Sequence, residues 1–560
     1  MFKKSSKSGQ LNIFTSPKSL FSGNSLKMYE DGLAWHNQFR KQVTMRIDEN
    51  LFRPLYCQDN GTPNAPVRIL VAMMVLKEAE GLSDQKIFEN CRFNLLVRSA
   101  LGLHNADDPL PTESTYYLFR KRILEYAKEK DENLFEKAFT QITKDQCAEF
   151  EVSGKRIRMD SKLLGSNIAW LSRYELIHET LRLFYNQVKQ AGQLDKATED
   201  RLDELLKLEG NKVVYICSGE EVKSRLHELG GLIYKILPLF SSSTSVYYQT
   251  LQRVFNEQYR VDEKKVVVAR EKEEISAKSV QSPHDTDSNY RDKDGQKVKG
   301  FSINITESCD EDKQLNLIGN VKVKKASTSD VDFLQDGIEK VQEVLTDKIE
   351  AAHADGAYHS PDNQQYCKDN DIDLYLHAIQ GAKSRYQFNF SENGELSVFD
   401  TITDQIIASN EIISKDGTIK CRIKTDKAYR YFTPKDIECY LLRKQIEETP
   451  IETLQFRNNV EATIFQLGYH YPNAKSRYRG ETKHQMWANI RCLWVNFARI
   501  LKYTKQLCQR TKFFAKFAIK SFFFDCQRGR FELYFAIKSI LTAILPNNLS
   551  RFENIQFSHG

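Results

Sequence analysis

Two apolar runs, each closed by an aspartate, stand far apart in this chain, and together they constrain its fold more than any other feature. The first is Arg156-Ile157-Arg158-Met159-Asp160-Ser161-Lys162-Leu163-Leu164-Gly165; the second is Ile349-Glu350-Ala351-Ala352-His353-Ala354-Asp355-Gly356-Ala357-Tyr358. Each reads as a short strand ending at its aspartate, with small or polar residues beyond. A carboxylate on a buried strand needs a partner, because an unpaired buried charge costs several kcal/mol. A metal ion is the simplest partner for several such acids. The fold is therefore expected to bring two non-adjacent strand ends into one site.

The segments between and around these runs suggest how. Strand signals resume at Val298–Thr306 and Leu315–Val323, followed by a helix at Asp332–Leu345, the second aspartate strand, a short helix at Pro361–Cys367 and a strand at Asp373–Ala378. Three strands followed by alternating helices and strands predict an α/β, RNase H-like core over residues 151–500. Two insertions interrupt it: a helical segment and loop at 170–280, closing on Ser282–Asp292 as loop, and a β-rich segment at 385–432. Helix returns at Pro434–Glu447, breaks at Pro450 and resumes over Ile451–Leu467. On that last helix Leu454, Arg457, Glu461 and Ile464 share a stripe. Glu461 is there either a structural ion-pair partner of Arg457 or a metal ligand steadied by it.

Upstream, residues 1–45 read as a weakly ordered leader and 46–150 as an all-helical unit. Ser83 is positioned to cap one helix and Gly102 to stop another. Arg120, Lys121 and Arg122 give this unit a charge suited to DNA, although a helical bundle with merely solvated basic residues has the same pattern. Residues 501–560 read as basic, aromatic helices; with the preceding residues from Arg499, they could follow phosphates or lie on a membrane surface. His284 and His353 read as a loop histidine and a packed strand histidine.

Composition narrows the class. Hydrophobic residues make up 41% and charged residues 28% of 560, which is globular composition. The net charge of +6 is only mildly basic, so the placement of charge matters more than its sum. Eleven cysteines without a CxxC pair argue for free thiols in a reducing compartment and against a disulfide framework or a zinc site. No apolar span reaches membrane length and no secretory signal is visible, so cytoplasmic residence is expected.

With these residues in view, the chain resembles the DDE transposases of bacterial insertion sequences. Met159-Asp160-Ser161, Ala354-Asp355-Gly356-Ala357-Tyr358 and Arg457-Asn458-Asn459-Val460-Glu461 are similar to their three acidic motifs. Gly81-Leu82-Ser83-Asp84, Leu101-Gly102-Leu103, Glu113-Ser114-Thr115, Phe119-Arg120, Ser282-Pro283-His284-Asp285 and Lys299-Gly300-Phe301 resemble one large branch, the eleven-eighty-two group. Related enzymes often carry a tyrosine before the arginine and a lysine after the glutamate, where this chain has Leu454 and Gly468. Those two phosphate-contacting roles therefore do not carry over; Lys475, Arg477, Arg479 or Lys483 could supply the positive charge instead.

The resemblance implies Asp160, Asp355 and Glu461 as catalytic and metal-binding residues, Arg457 as support, and two Mg2+ (or Mn2+) ions as cofactors. Two divalent cations can clamp the crowded, negative transition state of phosphodiester chemistry. It also implies double-stranded DNA as partner, a homodimer on DNA, no membrane, and a bacterial, nucleoid-associated location. A catalytically inactive or domesticated DNA-binding protein, and an RNase H-like nuclease without strand transfer, are the alternatives.

Overall fold

The structure is a computed structural model that describes residues 1–4, 16–57, 61–293, 295–310, 315–377, 385–390, 396–413, 419–425, 428–468 and 474–526. Its N-terminal part is helical: α1 (Trp35–Gln42), α2 (Val67–Ala79), α3 (Asp84–Phe93), α4 (Leu95–Leu101), α5 (Glu113–Lys130) and α6 (Leu134–Phe150). Ser83 caps α3 by accepting the Lys86 N–H, and Gly102 ends α4 in the left-handed conformation at φ 80°. All 13 residues of α2 are buried, the cations Arg68 and Lys77 paired with Glu49 and Asp84. Within the expected leader, residues 16–45 include a helix at Gly23–Glu30 and α1. Phe39 and Val43 anchor it by entering the core, which sequence periodicity over so short a helix did not reveal.

The central sheet holds β1 (Arg156–Gly165), β2 (Gln296–Ser308), β3 (Ile318–Lys325), β4 (Ala351–Ala354) and β5 (Asp373–Leu376). Their spatial order is β3-β2-β1-β4-β5, with β2 antiparallel to both neighbours and β1, β4 and β5 parallel. Period-2 alternation gives the sheet two different faces. Ile157 and Met159 of β1 meet α7 (Leu334–Gln342), where Gly337 lets the helix approach so closely that a Cβ would stand 2.9 Å from Thr306 Oγ1. Phe301, Ile303 and Ile305 of β2 face the other way, into the core of the N-terminal helices and the 46-residue α9 (Glu481–Cys526). The helical unit and the sheet thus share one hydrophobic core.

Several boundaries differ from expectation. Asp160 lies inside β1, because antiparallel pairing with β2 continues to Gly165↔Gly300. Residues 289–292, expected as loop, belong to a strand (Asn289–Lys293) that pairs with the start of β2. Helices of the first insertion, from Arg173 to Gln258, enclose their own core of Ile177, Leu181, Phe184, Leu229 and Leu251, but end in a small hairpin, Tyr259–Val261 with Val267–Ala269. The second insertion is a five-stranded antiparallel meander backed by the helix Pro434–Glu448. Ile451–Leu467 is not one helix: Ile451–Gln455 gives way to a turn at Phe456–Asn458 before α8 (Asn459–Gly468). Phe456 causes the break, since its carbonyl accepts from Arg158 Nη1 at 2.8 Å and its ring packs on His353. Finally, α9 runs unbroken through residue 501, so the C-terminal segment begins as a continuation of a core helix.

Candidate active site

Register explains why the two aspartates meet. Arg158 pairs with His353 across the parallel β1–β4 ladder, so the next position on the same face of each strand is Asp160 and Asp355. Asp355 stands one residue past the end of β4, where it caps a short 3-10 turn, Gly356–Tyr358. Each aspartate gives one oxygen to the following amide: Ser161 N–H donates to Asp160 Oδ1 at 2.8 Å and Gly356 N–H to Asp355 Oδ1 at 2.6 Å. Both Oδ2 atoms are left to face the same cation.

That cation is Arg457. Its Nη2 lies 3.3 Å from Asp160 Oδ2 and 3.7 Å from Asp355 Oδ2, so the two carboxylate oxygens are less than twice 3.7 Å apart. Its Nη1 lies 3.9 Å from Glu461 Oε1. One guanidinium therefore touches or borders all three predicted acids, and the turn at Phe456–Asn458 is what aims it there. Exposure is graded across the three side chains: 13% for Asp160, 37% for Asp355 and 71% for Glu461. Burial pushes the Asp160 carboxyl above the ordinary carboxylate range, and Arg457 with the Ser161 amide offsets this only in part.

The donor set is all carboxylate oxygen, which suits a hard divalent cation. The acids stand around Arg457, and among the described residues no group of three or more His, Cys, Asp or Glu is arranged as a ready-made metal cage.

A buried network that sequence reasoning missed holds this site. Glu307 on β2 has no exposed surface and accepts from Arg158 Nε at 2.7 Å, Arg499 Nη1 at 2.6 Å and Thr463 Oγ1 at 3.0 Å, joining β1, β2, α8 and α9. Burial alone would raise its carboxyl, but Arg499 and Arg158 outweigh that and hold it below the ordinary glutamate range. A visible signal existed: period-2 reading places Glu307 on the face of Ile303 and Ile305. Behind Asp160, Ser161 Oγ donates to buried Asp330 at 2.6 Å, and Asn304 Nδ2 donates to the Tyr358 hydroxyl at 2.6 Å. A cavity of about 650 Å³ opens beside Ser161 and is lined by Lys162, Arg291 and Lys293.

The expected DNA-contacting residues are mostly occupied. Arg120 pairs with Asp84 at 3.3 Å and lies over the Tyr116 ring, while Lys121 borders Glu125 at 3.5 Å and Arg122 lies over Tyr56. Arg477 donates to the Leu82 and Gly81 carbonyls at 2.7 and 2.8 Å, stapling the helical unit to the core. Lys475 and Arg479 donate to the carbonyls of Ile168 and Asn167. Arg499, expected in a phosphate-following tail, is the Glu307 partner instead. His284 pairs with Glu179 at 3.0 Å, and buried His353 stacks on Tyr375, its pKa lowered to about 3 by burial. Lys516, Lys520 and the aromatic residues from Phe514 lie outside the residues whose side chains are described.

No helix among the described residues is long and apolar enough to cross a membrane. No curated protein and no solved structure matches the chain. Residues 28–122, from before α1 into α5, match a family model described as Transposase domain (DUF772), and this match supports a transposase family for the chain.

Proposed function

We propose that this chain is a DNA transposase that cleaves the ends of an insertion sequence and joins them to target DNA by metal-dependent phosphoryl transfer. The carrying observation is the convergence of Asp160, Asp355 and Glu461 on one guanidinium from three separate segments. The strand order β3-β2-β1-β4-β5, with only β2 reversed, supports an RNase H-like core as the platform. The transposase-domain match at residues 28–122 supports the same reading from an independent part of the chain.

In this reading Asp160, Asp355 and, from α8, Glu461 would hold Mg2+ or Mn2+. The two bound ions would supply the positive charge that stabilises a phosphoryl transition state. Arg457 would steady the acids, which it borders at 3.3 Å (Asp160), 3.7 Å (Asp355) and 3.9 Å (Glu461). The amides of Ser161 and Gly356 fix the aspartates' orientation, and the Arg158–Glu307–Arg499 network holds the turn that carries Arg457. Double-stranded DNA is the substrate, a homodimer on DNA in the bacterial cytoplasm the working form.

The test uses labelled duplexes ending in the inverted repeats that flank the gene, incubated with the full chain, Mg2+ and a target plasmid. Joined products support the proposal. Cleavage without joining would assign a nuclease, and binding without either would assign a domesticated DNA-binding protein.

A further inference from the structure

The second insertion presents a sheet face that the proposed chemistry does not use. Its strands, Tyr386–Phe390, Leu396–Asp400, Gln405–Ile413, Ile419–Lys424 and Tyr429–Phe432, form a meander in sequence order. Phe388, Val398, Cys421 and Ile423 are buried on one face, with Ile437 and Tyr440 of the covering helix against them. Alternation puts their neighbours on the other face. The register aligns Arg422 with Tyr431 and Lys424 with Tyr429 there, beside Lys420. Farther across, Phe399 aligns with Ile406, and Asn410 with Arg422.

Among the described residues of its strands, this outer face is basic and aromatic and carries no acid. The five strands contain two acids, Asp400 and Glu411, and both fall on the opposite register: Glu411 aligns with Cys421, and Asp400 is buried against Arg385. Tyr429 and Tyr431 keep 51% and 52% of their surface exposed. The Arg422 guanidinium lies over the Tyr429 ring, 4.9 Å from its centroid. Two exposed rings two residues apart on one strand, flanked by three cations on the next, place flat π faces beside charges that match a phosphate backbone. Base stacking on such rings tolerates any sequence, but it needs unpaired bases.

We infer that this face binds a single-stranded segment of DNA, its bases stacking on Tyr429 and Tyr431 and its phosphates meeting Lys420, Arg422 and Lys424. The inference extends the proposed DNA chemistry by naming the form of DNA this surface takes, and it rests on that reading only for the strand's origin. Binding without metal is measured apart from cleavage, so the two stand or fall separately.

The experiment is fluorescence anisotropy of the full chain in EDTA with a labelled oligothymidylate and, in parallel, a labelled duplex. Tyr429→Ala with Tyr431→Ala is expected to weaken oligothymidylate binding by about tenfold or more, with a much smaller effect on the duplex. Tyr429→Phe with Tyr431→Phe should keep the affinity, since the rings remain. Lys420→Gln, Arg422→Gln and Lys424→Gln together should reduce the steepness of its salt dependence. Unchanged oligothymidylate affinity in the double alanine variant, or an equal loss on the duplex, would overturn the inference. Circular dichroism matching the wild type confirms that these substitutions leave the fold intact.

Discussion

Replacing Glu307 by glutamine is the most informative stability experiment. The side chain is fully buried, and its two guanidinium partners are themselves enclosed, with side-chain exposures of 5% for Arg158 and 20% for Arg499. The substitution keeps volume and one acceptor but leaves two buried positive charges facing no anion. Breaking a buried, hydrogen-bonded ion pair from one side costs about 3–5 kcal/mol. The larger value is expected here, because two cations and the Thr463 hydroxyl lose the same partner. Urea unfolding followed by circular dichroism should show the midpoint fall with an unchanged slope. The pH dependence gives a second reading of the same group. Its folded pKa is depressed below the ordinary 4.5, so its contribution is fully present above that value and is lost as pH falls through the lower folded value. The variant should lack that part of the acid loss. A cost under about 1 kcal/mol, with an unaltered acid limb, would refute the view that this network braces the site.

Other outcomes follow from the packing. His353, buried between Tyr375 and Phe456 with its pKa lowered from 6.5 to about 3, contributes stability that is complete above pH 6.5 and declines as pH falls toward 3; His353→Phe should flatten that decline in pH-dependent thermal melts. Gly300→Ala would put a Cβ 2.1 Å from the Leu164 carbonyl oxygen, so it should prise β1 from β2, cost more than about 2 kcal/mol in urea unfolding and lower cleavage by displacing Asp160. Deleting residues 1–150 should yield aggregated protein by size-exclusion chromatography, because Phe301, Ile303, Ile305, Val321, Val323 and Trp487 would lose their cover. A monodisperse, folded truncation would contradict the shared core.

The sequence was most legible where chemistry and periodicity coincide. Strands near Asp160 and Asp355, and the β-rich and helical insertions, follow from apolar alternation and its interruptions. Strand ends were less legible: Ser161 and Lys162 look like an exit from β1, yet β2 pairs past them, and pairing partners are a tertiary fact. Asn289–Lys293 looks like loop by composition and becomes a strand because β2 begins early enough to template it. The break at Phe456 depends on Arg158 capturing a carbonyl, which no local pattern announces. Cationic side chains were the least legible of all. Arg120, Arg477 and Arg499 have the composition of phosphate contacts, but Asp84, the Gly81 and Leu82 carbonyls, and Glu307 claim them. Charge is visible in a sequence, whereas the oxygen that neutralises it is set by the fold.

The central claim is that Asp160, Asp355 and Glu461 act together on DNA. Its most direct test measures Mg2+-dependent cleavage of inverted-repeat duplexes by Asp160→Asn, Asp355→Asn and Glu461→Gln, alongside duplex binding and thermal unfolding of the same preparations. The account predicts that each substitution abolishes cleavage by orders of magnitude while the variant still folds and binds DNA. Glu461 is the decisive member, being the most exposed and the farthest from Arg457. A Glu461→Gln protein that cleaves at the wild-type rate, with only a modest change in melting temperature, would contradict the claim and leave Glu461 as an ion-pair partner of Arg457.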